Sequence, residues 1–470
     1  MLNLGLLKPE LVLAGLALAV MLADMVLPSS RSRWLYHLSW ISAAGVLLAV
    51  VWGLGKPATM GLGSLWVVDS FSQFFKMTTL LAAMLCLLLS LDYKALPARH
   101  AGTFGALMLF STAGLMFMVS AGDLILVFVS LELVSISSFI LAGFERSNPK
   151  SNEGAMKYFL FGAFSSAIMV FGISLYYGAA GTTKLAADLV APGPMMILAL
   201  ILIFLGFGFK ASLAPMHFWV PDAYEGAPVP VTTFLSVAPK LATFAVLMRV
   251  YGAVFPASQH ELQALVALIA GLTMTIGNFT AFFQDDTKRL LAYSSIAQAG
   301  YLLIGLAVGT PLGLEGVMMY SFVYVAMNIG AFAVIQAVGE EGGYDLSAFD
   351  GLSKRSLGLA LAMTFFLLSL AGIPPLAGFM GKLYIFASAV DAGRYWLAVV
   401  GVVNSVASVY FYFRIVHRMF LRKTEGEPTC LRVGPYVYGA IAVAVAGVLF
   451  FGICPEPLIA GVRASARLLP

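Results

Sequence analysis

The sequence predicts an all-α polytopic membrane protein with about fourteen spanning helices, and three observations carry that prediction. First, 60% of its 470 residues are hydrophobic and only 11% are charged, against about half and a quarter in a soluble domain. Second, apolar stretches of the length a bilayer requires, about 17–25 residues, recur from one end to the other. Third, two of those stretches are interrupted by proline, at "GFGFKASLAPMH" and at "AGIPPLAG". No soluble domain of any size fits between the spans.

Hydropathy places the spans at 9–27, 35–53, 71–91, 102–120, 122–142, 155–180, 194–216, 229–251, 262–283, 290–309, 314–338, 357–390, 394–420 and 434–455. The run from Leu11 to Leu27 lacks a small-residue cleavage pattern and follows Glu10, so it reads as a retained first helix rather than a signal peptide. The span 357–390 is too long for one straight crossing and is expected to break at "AGIPPLAG". The interrupted spans are the seventh and the twelfth, five crossings apart, and an odd offset between repeats implies inverted topology.

Basic residues orient the chain. With both termini on the non-cytoplasmic side, the inner loops and helix ends hold sixteen: Arg31, Arg33, Lys94, Arg99, Arg146, Lys150, Lys157, Lys288, Arg289, Lys354, Arg355, Arg414, Arg418, Arg422, Lys423 and Arg432. The outer side holds eight: Lys8, Lys56, Lys76, Lys184, Arg249, Arg394, Arg463 and Arg467. The positive-inside rule favours this orientation. Three lysines of the 27 basic residues remain, Lys210, Lys240 and Lys382, and each falls inside a span. Among the acids, Glu132 in "VFVSLELVSISSFI" sits in mid-span, while Asp24 and Asp123 lie near span ends, within reach of the headgroups.

A lysine or aspartate at mid-membrane costs roughly 2.5–3.5 kcal/mol on insertion scales. Three lysines and a glutamate together cost on the order of 10 kcal/mol, comparable with the stability of an ordinary domain. Such groups persist when paired, hydrated or functional. An amine that passes between two protonation states under the influence of a nearby carboxylate is a proton carrier. The prolines fit this reading: Pro215 follows Lys210, Pro239 precedes Lys240, and Pro374 and Pro375 precede Lys382. A broken helix at membrane depth frees backbone groups that protein or water must satisfy.

Blander readings stand beside these. Glu132 and Lys210 could form an inert interhelical pair that fixes register, and Lys240 could be a structural donor. His217, just past the first break, is a relay or a satisfied interface histidine. Tyr293, Ser294, Ser295 and Gln298, in "AYSSIAQAGY", line a water path or bond across helices.

Other chemistry finds no support. The cysteines Cys86, Cys430 and Cys454 form no CxxC or Cys/His pattern, so no metal or iron–sulfur site is expected. "GFGFKA" lacks the βαβ setting of a dinucleotide fingerprint. "NFT" at Asn278 is a sequon inside a span. The net charge of +4 does not suggest nucleic acid.

Four stretches resemble one family. They are "LELVSISSFILAGFERSNPKSNEGAMKYFLFGAFSSAIMVFGISLYYGAAGTT", "GFGFKASLAPMHFWVPDAYEGAPVPVTTFLSVAPKLA", "KRLLAYSSIAQAGYLLIG" and "LSLAGIPPLAGFMGKLYIF". They are similar to the antiporter-like membrane subunits of proton-pumping NADH–quinone oxidoreductase (NDH-1, respiratory complex I), subunit N above all, over roughly residues 65–425. The resemblance implies fourteen core helices with two inverted five-helix repeats, helices 4–8 and 9–13. The chain then divides into residues 1–101, a first repeat at 102–251, a second at 262–420 and a last helix in 434–470.

It also implies a proton relay. Glu132 looks like the family's fifth-helix glutamate, Lys210 its seventh-helix lysine, Lys240 its eighth-helix connecting lysine and Lys382 its twelfth-helix lysine. His217 stands where the family often has a histidine between lysines. Gln298 is a departure, since longer relatives commonly carry a histidine there. Lys382 suits the N or L type better than M, and the short stretch after the last crossing favours N.

No cofactor is expected in this chain; FMN, iron–sulfur clusters, NADH and quinone would belong to partner subunits. Those partners would be an M-type antiporter-like subunit and small K-, J- and A-type subunits in a bacterial inner membrane. An Mrp-type Na⁺/H⁺ antiporter subunit and a membrane subunit of a hydrogenase or ferredoxin-linked complex would use the same residues. A purely structural membrane scaffold is the reading of a different class.

Overall fold

The computed structural model describes residues 7–27, 33–61, 64–96, 98–185, 193–254, 259–422 and 431–466. Arg31, Lys423, Cys430 and Arg467 lie outside the described residues. In chain order the helices begin with α1 (Lys8–Val26), α2 (Trp34–Trp52), α3 (Ser70–Asp92), α4 (Ala101–Val119), α5 (Leu124–Ala142), α6 (Pro149–Ala180) and α7 (Pro194–Ala211). A short α8 (Val220–Gly226) precedes α9 (Val229–Val254), α10 (Gln259–Ala281), α11 (Thr287–Val308) and α12 (Pro311–Gly342). A one-turn α13 (Leu352–Arg355) leads into α14 (Leu357–Ala371) and α15 (Ala377–Asp391). The described residues end with α16 (Tyr395–Leu421), α17 (Pro435–Ile453) and α18 (Glu456–Ser465).

Among the described residues, thirteen of these helices are long and apolar enough to cross a bilayer. The broken pair α14–α15 supplies a fourteenth crossing, divided where "AGIPPLAG" predicts. The seventh crossing is likewise split into α7 and α8. One element departs from the all-helical expectation. Thr59–Gly61 (β1) pairs antiparallel with Trp66–Val68 (β2), with Thr59 opposite Val68 and Gly61 opposite Trp66. An aromatic followed by two β-branched valines favours the extended backbone there.

Local signals fix the helix ends. Asp69 and Ser72 form a capping box on α3, the Ser72 N–H donating to Asp69 Oδ1 at 2.7 Å and the Asp69 N–H to Ser72 Oγ at 3.1 Å. Asp123 caps α5 through the Ile125 N–H (2.8 Å), and Asp24 accepts from the Thr103 N–H at the start of α4 (2.7 Å). Both acids therefore serve as helix caps rather than reaching for headgroups.

Helices α9, α11 and α12 form the interior and are enclosed by the others. Close crossings use small residues: a Cβ added to Gly206 on α7 would fall 2.5 Å from Met169 Cβ on α6. The outer helices α2, α6, α16 and α17 present large apolar side chains such as Leu48, Phe164, Val406 and Val443, as lipid contact requires.

Two basic residues assigned by sequence to the outer loops and helix ends are buried instead. Lys76 is 1% exposed and pairs with the wholly buried Glu10 at 2.6 Å, joining α3 to α1. Arg249 of α9 pairs with Asp69 at 3.1 Å and lies 5.2 Å from the Phe71 ring centroid. Hydropathy sets the depth of a residue but not the neighbour it meets, and here each cation meets a carboxylate from another helix.

Candidate functional site

The first break forms because α7 ends at Ser212, a non-glycine residue in the left-handed region with φ of 65°. The freed backbone groups find partners from elsewhere. Trp219 Nε1 donates to the Phe209 carbonyl at 3.1 Å, and the Ala214 N–H donates to Thr273 Oγ1 of α10 at 3.0 Å. Lys210 sits in the last turn of α7, where a cation also suits the helix dipole. Its Nζ donates to Ser135 Oγ of α5 and to Tyr158 OH of α6, both at 3.0 Å. Tyr158 in turn stacks on Trp219, with centroids 4.2 Å apart. The amine is therefore held by hydroxyls and rings, and among the described residues no carboxylate comes within ion-pairing distance of it.

Glu132 is only partly buried, and it accepts a 2.5 Å hydrogen bond from Ser166 Oγ of α6. The inert Glu132–Lys210 pair that the sequence left open is thus not formed as a direct contact.

Lys240 lies one residue after Pro239 inside α9 and is wholly buried. It donates to the Ser295 carbonyl (2.6 Å) and to Ser295 Oγ (2.5 Å) on α11, and Tyr324 OH of α12 donates to the same hydroxyl at 3.1 Å.

The second break opens at Gly372, whose φ of 84° belongs to glycine. A Cβ at that position would lie 2.9 Å from Lys382 Cδ, so the glycine also makes room for the lysine. Lys382 Nζ uses its three donors on the Leu370 carbonyl (2.8 Å), the Ala371 carbonyl (3.3 Å) and Ser405 Oγ (3.0 Å). It thereby satisfies carbonyls that the broken helix frees, and it lies 4.3 Å from the Tyr301 ring centroid. Asn278, the residue of the apparent sequon, is buried and donates to Tyr301 OH and Asn404.

Gln298 lies between Lys240 and Lys382. Its Nε2 donates to the Leu370 carbonyl, the same oxygen that Lys382 uses, and to Tyr412 OH, both at 3.1 Å. Its Oε1 accepts from Tyr320 OH. Tyr412 OH also shares a 2.6 Å hydrogen bond with Ser294 Oγ, next in sequence to the Ser295 that holds Lys240. Groups of α9, α11, α12, α14, α15 and α16 thus converge along one polar line from Lys240 to Lys382.

The structure does not bring every candidate into that line. His217 is 5% exposed, stacks on Phe218, bonds neither lysine, and leaves Nδ1 without a partner. Tyr293 lies on another face of α11 from Ser294, Ser295 and Gln298 and is only partly buried. Conversely, Tyr320, Tyr324 and Tyr412 take part in it, and Tyr158 and Ser135 hold Lys210, although sequence reasoning did not select them. Their signal was weak: a tyrosine hydroxyl within an apolar span reads as packing until its partner on another helix is known.

A buried line of amines and hydroxyls beside two broken helices is a membrane proton- or ion-transfer architecture. Residues 121–408 match the family model described as NADH:quinone oxidoreductase/Mrp antiporter, TM, and the chain belongs to that family. It is 44% identical to the NADH-quinone oxidoreductase subunit N of Trichlorobacter lovleyi, covering 99% of this chain and 98% of that one. It is 40% identical to the F(420)H(2) dehydrogenase subunit N of Methanosarcina mazei, covering 99% of each. Among solved structures it resembles a chain of respiratory complex I from Thermus thermophilus, with a TM-score of 0.85, 34% identity, and 97% and 99% of the two chains covered. A chain of the Mrp complex from Dietzia sp. shares the fold, with a TM-score of 0.88 at 23% identity, covering 98% and 97%.

Proposed function

We propose that this chain is the N-type, proton-translocating membrane-arm subunit of NADH–quinone oxidoreductase, and that Glu132, Lys210, Lys240 and Lys382 are its relay. The observation that carries the relay is that three lysines are almost wholly buried and held only by hydroxyls and carbonyls. A permanent ammonium so placed is costly, whereas an amine that exchanges its proton along a polar line has a reason to be there. Ser294, Ser295, Tyr412 and Gln298 carry the connection between Lys240 and Lys382. Gln298 cannot titrate, so it passes a proton only by relaying hydrogen bonds or through water beside it. His217 borders the first break as a secondary group.

Under this reading the chain performs no redox chemistry. FMN, iron–sulfur clusters, NADH and quinone are handled by partner subunits, among them an M-type antiporter-like subunit and small K-, J- and A-type subunits. Moving one charge against 100 mV costs about 2.3 kcal/mol, so the drive comes from those partners. The chain sits in the bacterial inner membrane with both termini on the non-cytoplasmic side, as the distribution of basic residues favours. Residues 102–251 and 262–420 act as the two inverted halves.

The test is the assembled complex carrying Lys210→Ala or Glu132→Ala, reconstituted in vesicles. Assembly is expected to persist while quinone reduction and proton uptake both fall. Full coupled activity in either variant would reject that residue's role. Proton movement that requires sodium and no electron donor would favour the Mrp-type reading instead.

A further inference from the structure

We propose that a cavity between the start of α4 and the end of α5 binds the phosphate of an acidic phospholipid. The cavity has a volume of about 500 Å³ and opens at the face that carries most of the basic residues. Arg99 and His100 line it from the approach to α4, and Arg146 lines it from the loop after α5. The Thr103 hydroxyl completes its polar wall.

The charges around it are unbalanced. On the same face Lys94, Lys150, Lys157, Arg289, Arg414 and Arg418 each have a carboxylate within 4 Å. Among the described residues, neither Arg99 nor Arg146 has one. Glu145 is the acid in the cavity wall, and it is engaged by Tyr93 OH at 3.0 Å and by Asn148 Nδ2 at 3.2 Å. The wall therefore holds two guanidinium groups against one carboxylate, with neither arginine ion-paired to it within 4 Å, and the bidentate geometry of guanidinium suits phosphate oxygens.

The remaining wall distinguishes a lipid from a free anion. Ile140 edges the cavity, and Ile136 lies one turn deeper on α5. These side chains are 49% and 57% exposed, forming an apolar strip that runs from the cavity into the hydrocarbon region. The cavity itself lies at the ends of spanning helices, the level of the headgroups. Basic pockets between spanning helices at that level are suited to anionic headgroups. A phosphate with acyl chains attached would use both the arginines and the strip, whereas inorganic phosphate would use only the arginines.

The test uses the full chain in nanodiscs of phosphatidylcholine with or without phosphatidylglycerol, followed by native mass spectrometry after detergent release. The wild type is expected to retain phosphatidylglycerol. The Arg99→Gln/Arg146→Gln double variant is expected to retain it about tenfold less or weaker still. Lys354→Gln, an exposed lysine of the same face outside the cavity, is expected to behave as wild type and controls for overall charge. Equal retention by the double variant and the wild type would overturn the site, as would equal loss in Lys354→Gln. Displacement of the lipid by millimolar inorganic phosphate would overturn the lipid assignment and leave a free-anion site.

Discussion

Two regions of this protein bury cations in different ways. Near the face where the described chain begins, Lys76 is matched to Glu10 and Arg249 to Asp69, both pairs almost fully enclosed. Along the axis of the breaks, Lys210, Lys240 and Lys382 are equally enclosed but have only hydroxyls, carbonyls and ring faces as partners. A paired charge is fixed in one state and acts as a bolt between helices. An amine held by neutral groups keeps the freedom to change its protonation state, which a proton carrier needs. The contrast teaches that burial alone does not mark a functional lysine, since buried cations differ in their partners.

The sharpest way to break this comparison is to remove one member from each region. Lys76→Met leaves the Glu10 carboxylate buried without its partner, which should cost about 3–5 kcal/mol and lower the thermal unfolding midpoint sharply. Glu10→Leu combined with Lys76→Met should recover most of that loss, because no unpaired charge remains. Lys210→Met removes only bonds to Ser135 and Tyr158, and should cost about 1 kcal/mol for each. Equal losses of midpoint at Lys76 and Lys210 would erase the distinction.

Tyr412→Phe refines the second region. It removes the hydroxyl that joins Ser294 to Gln298, and a stability loss of about 1 kcal/mol is expected. Proton translocation by the complex should slow several-fold, and unchanged translocation would take Tyr412 out of the connection.

The smallest effect concerns pH at Asp69. Burial pushes its carboxyl up, but the Arg249 guanidinium and the bonds with Ser72 outweigh this and hold it below the usual carboxylate range. A depressed value means that the stabilisation is complete above the unfolded carboxyl's value near 4 and is lost as pH falls through the folded one. The midpoint of the wild type should therefore fall in acid more steeply than that of Asp69→Asn, and parallel acid slopes would contradict the assignment.

Much of this architecture was legible in the sequence. The spans, the interrupted seventh and twelfth crossings and the lysines beside them follow from hydropathy and from proline's missing N–H. Partners across helices were not legible. Lys76 and Glu10 lie 66 positions apart, and no periodicity in either span says that they meet. The same limit hid Tyr158 beneath Lys210 and Tyr412 beside Gln298. Glu132 lies midway along α5, yet its contact with Ser166 depends on how α6 is rotated, and span hydropathy does not report that rotation.

One measurement bears most directly on the claim that neutral-partnered lysines carry protons: the rate of proton translocation in vesicles holding the complex with Lys240→Met. The assembled variant is expected to translocate protons on the order of 100-fold more slowly than the wild type, as losing a positioned proton-transfer group implies. Wild-type translocation at normal assembly would contradict it, and would make Lys240 a structural donor to Ser295.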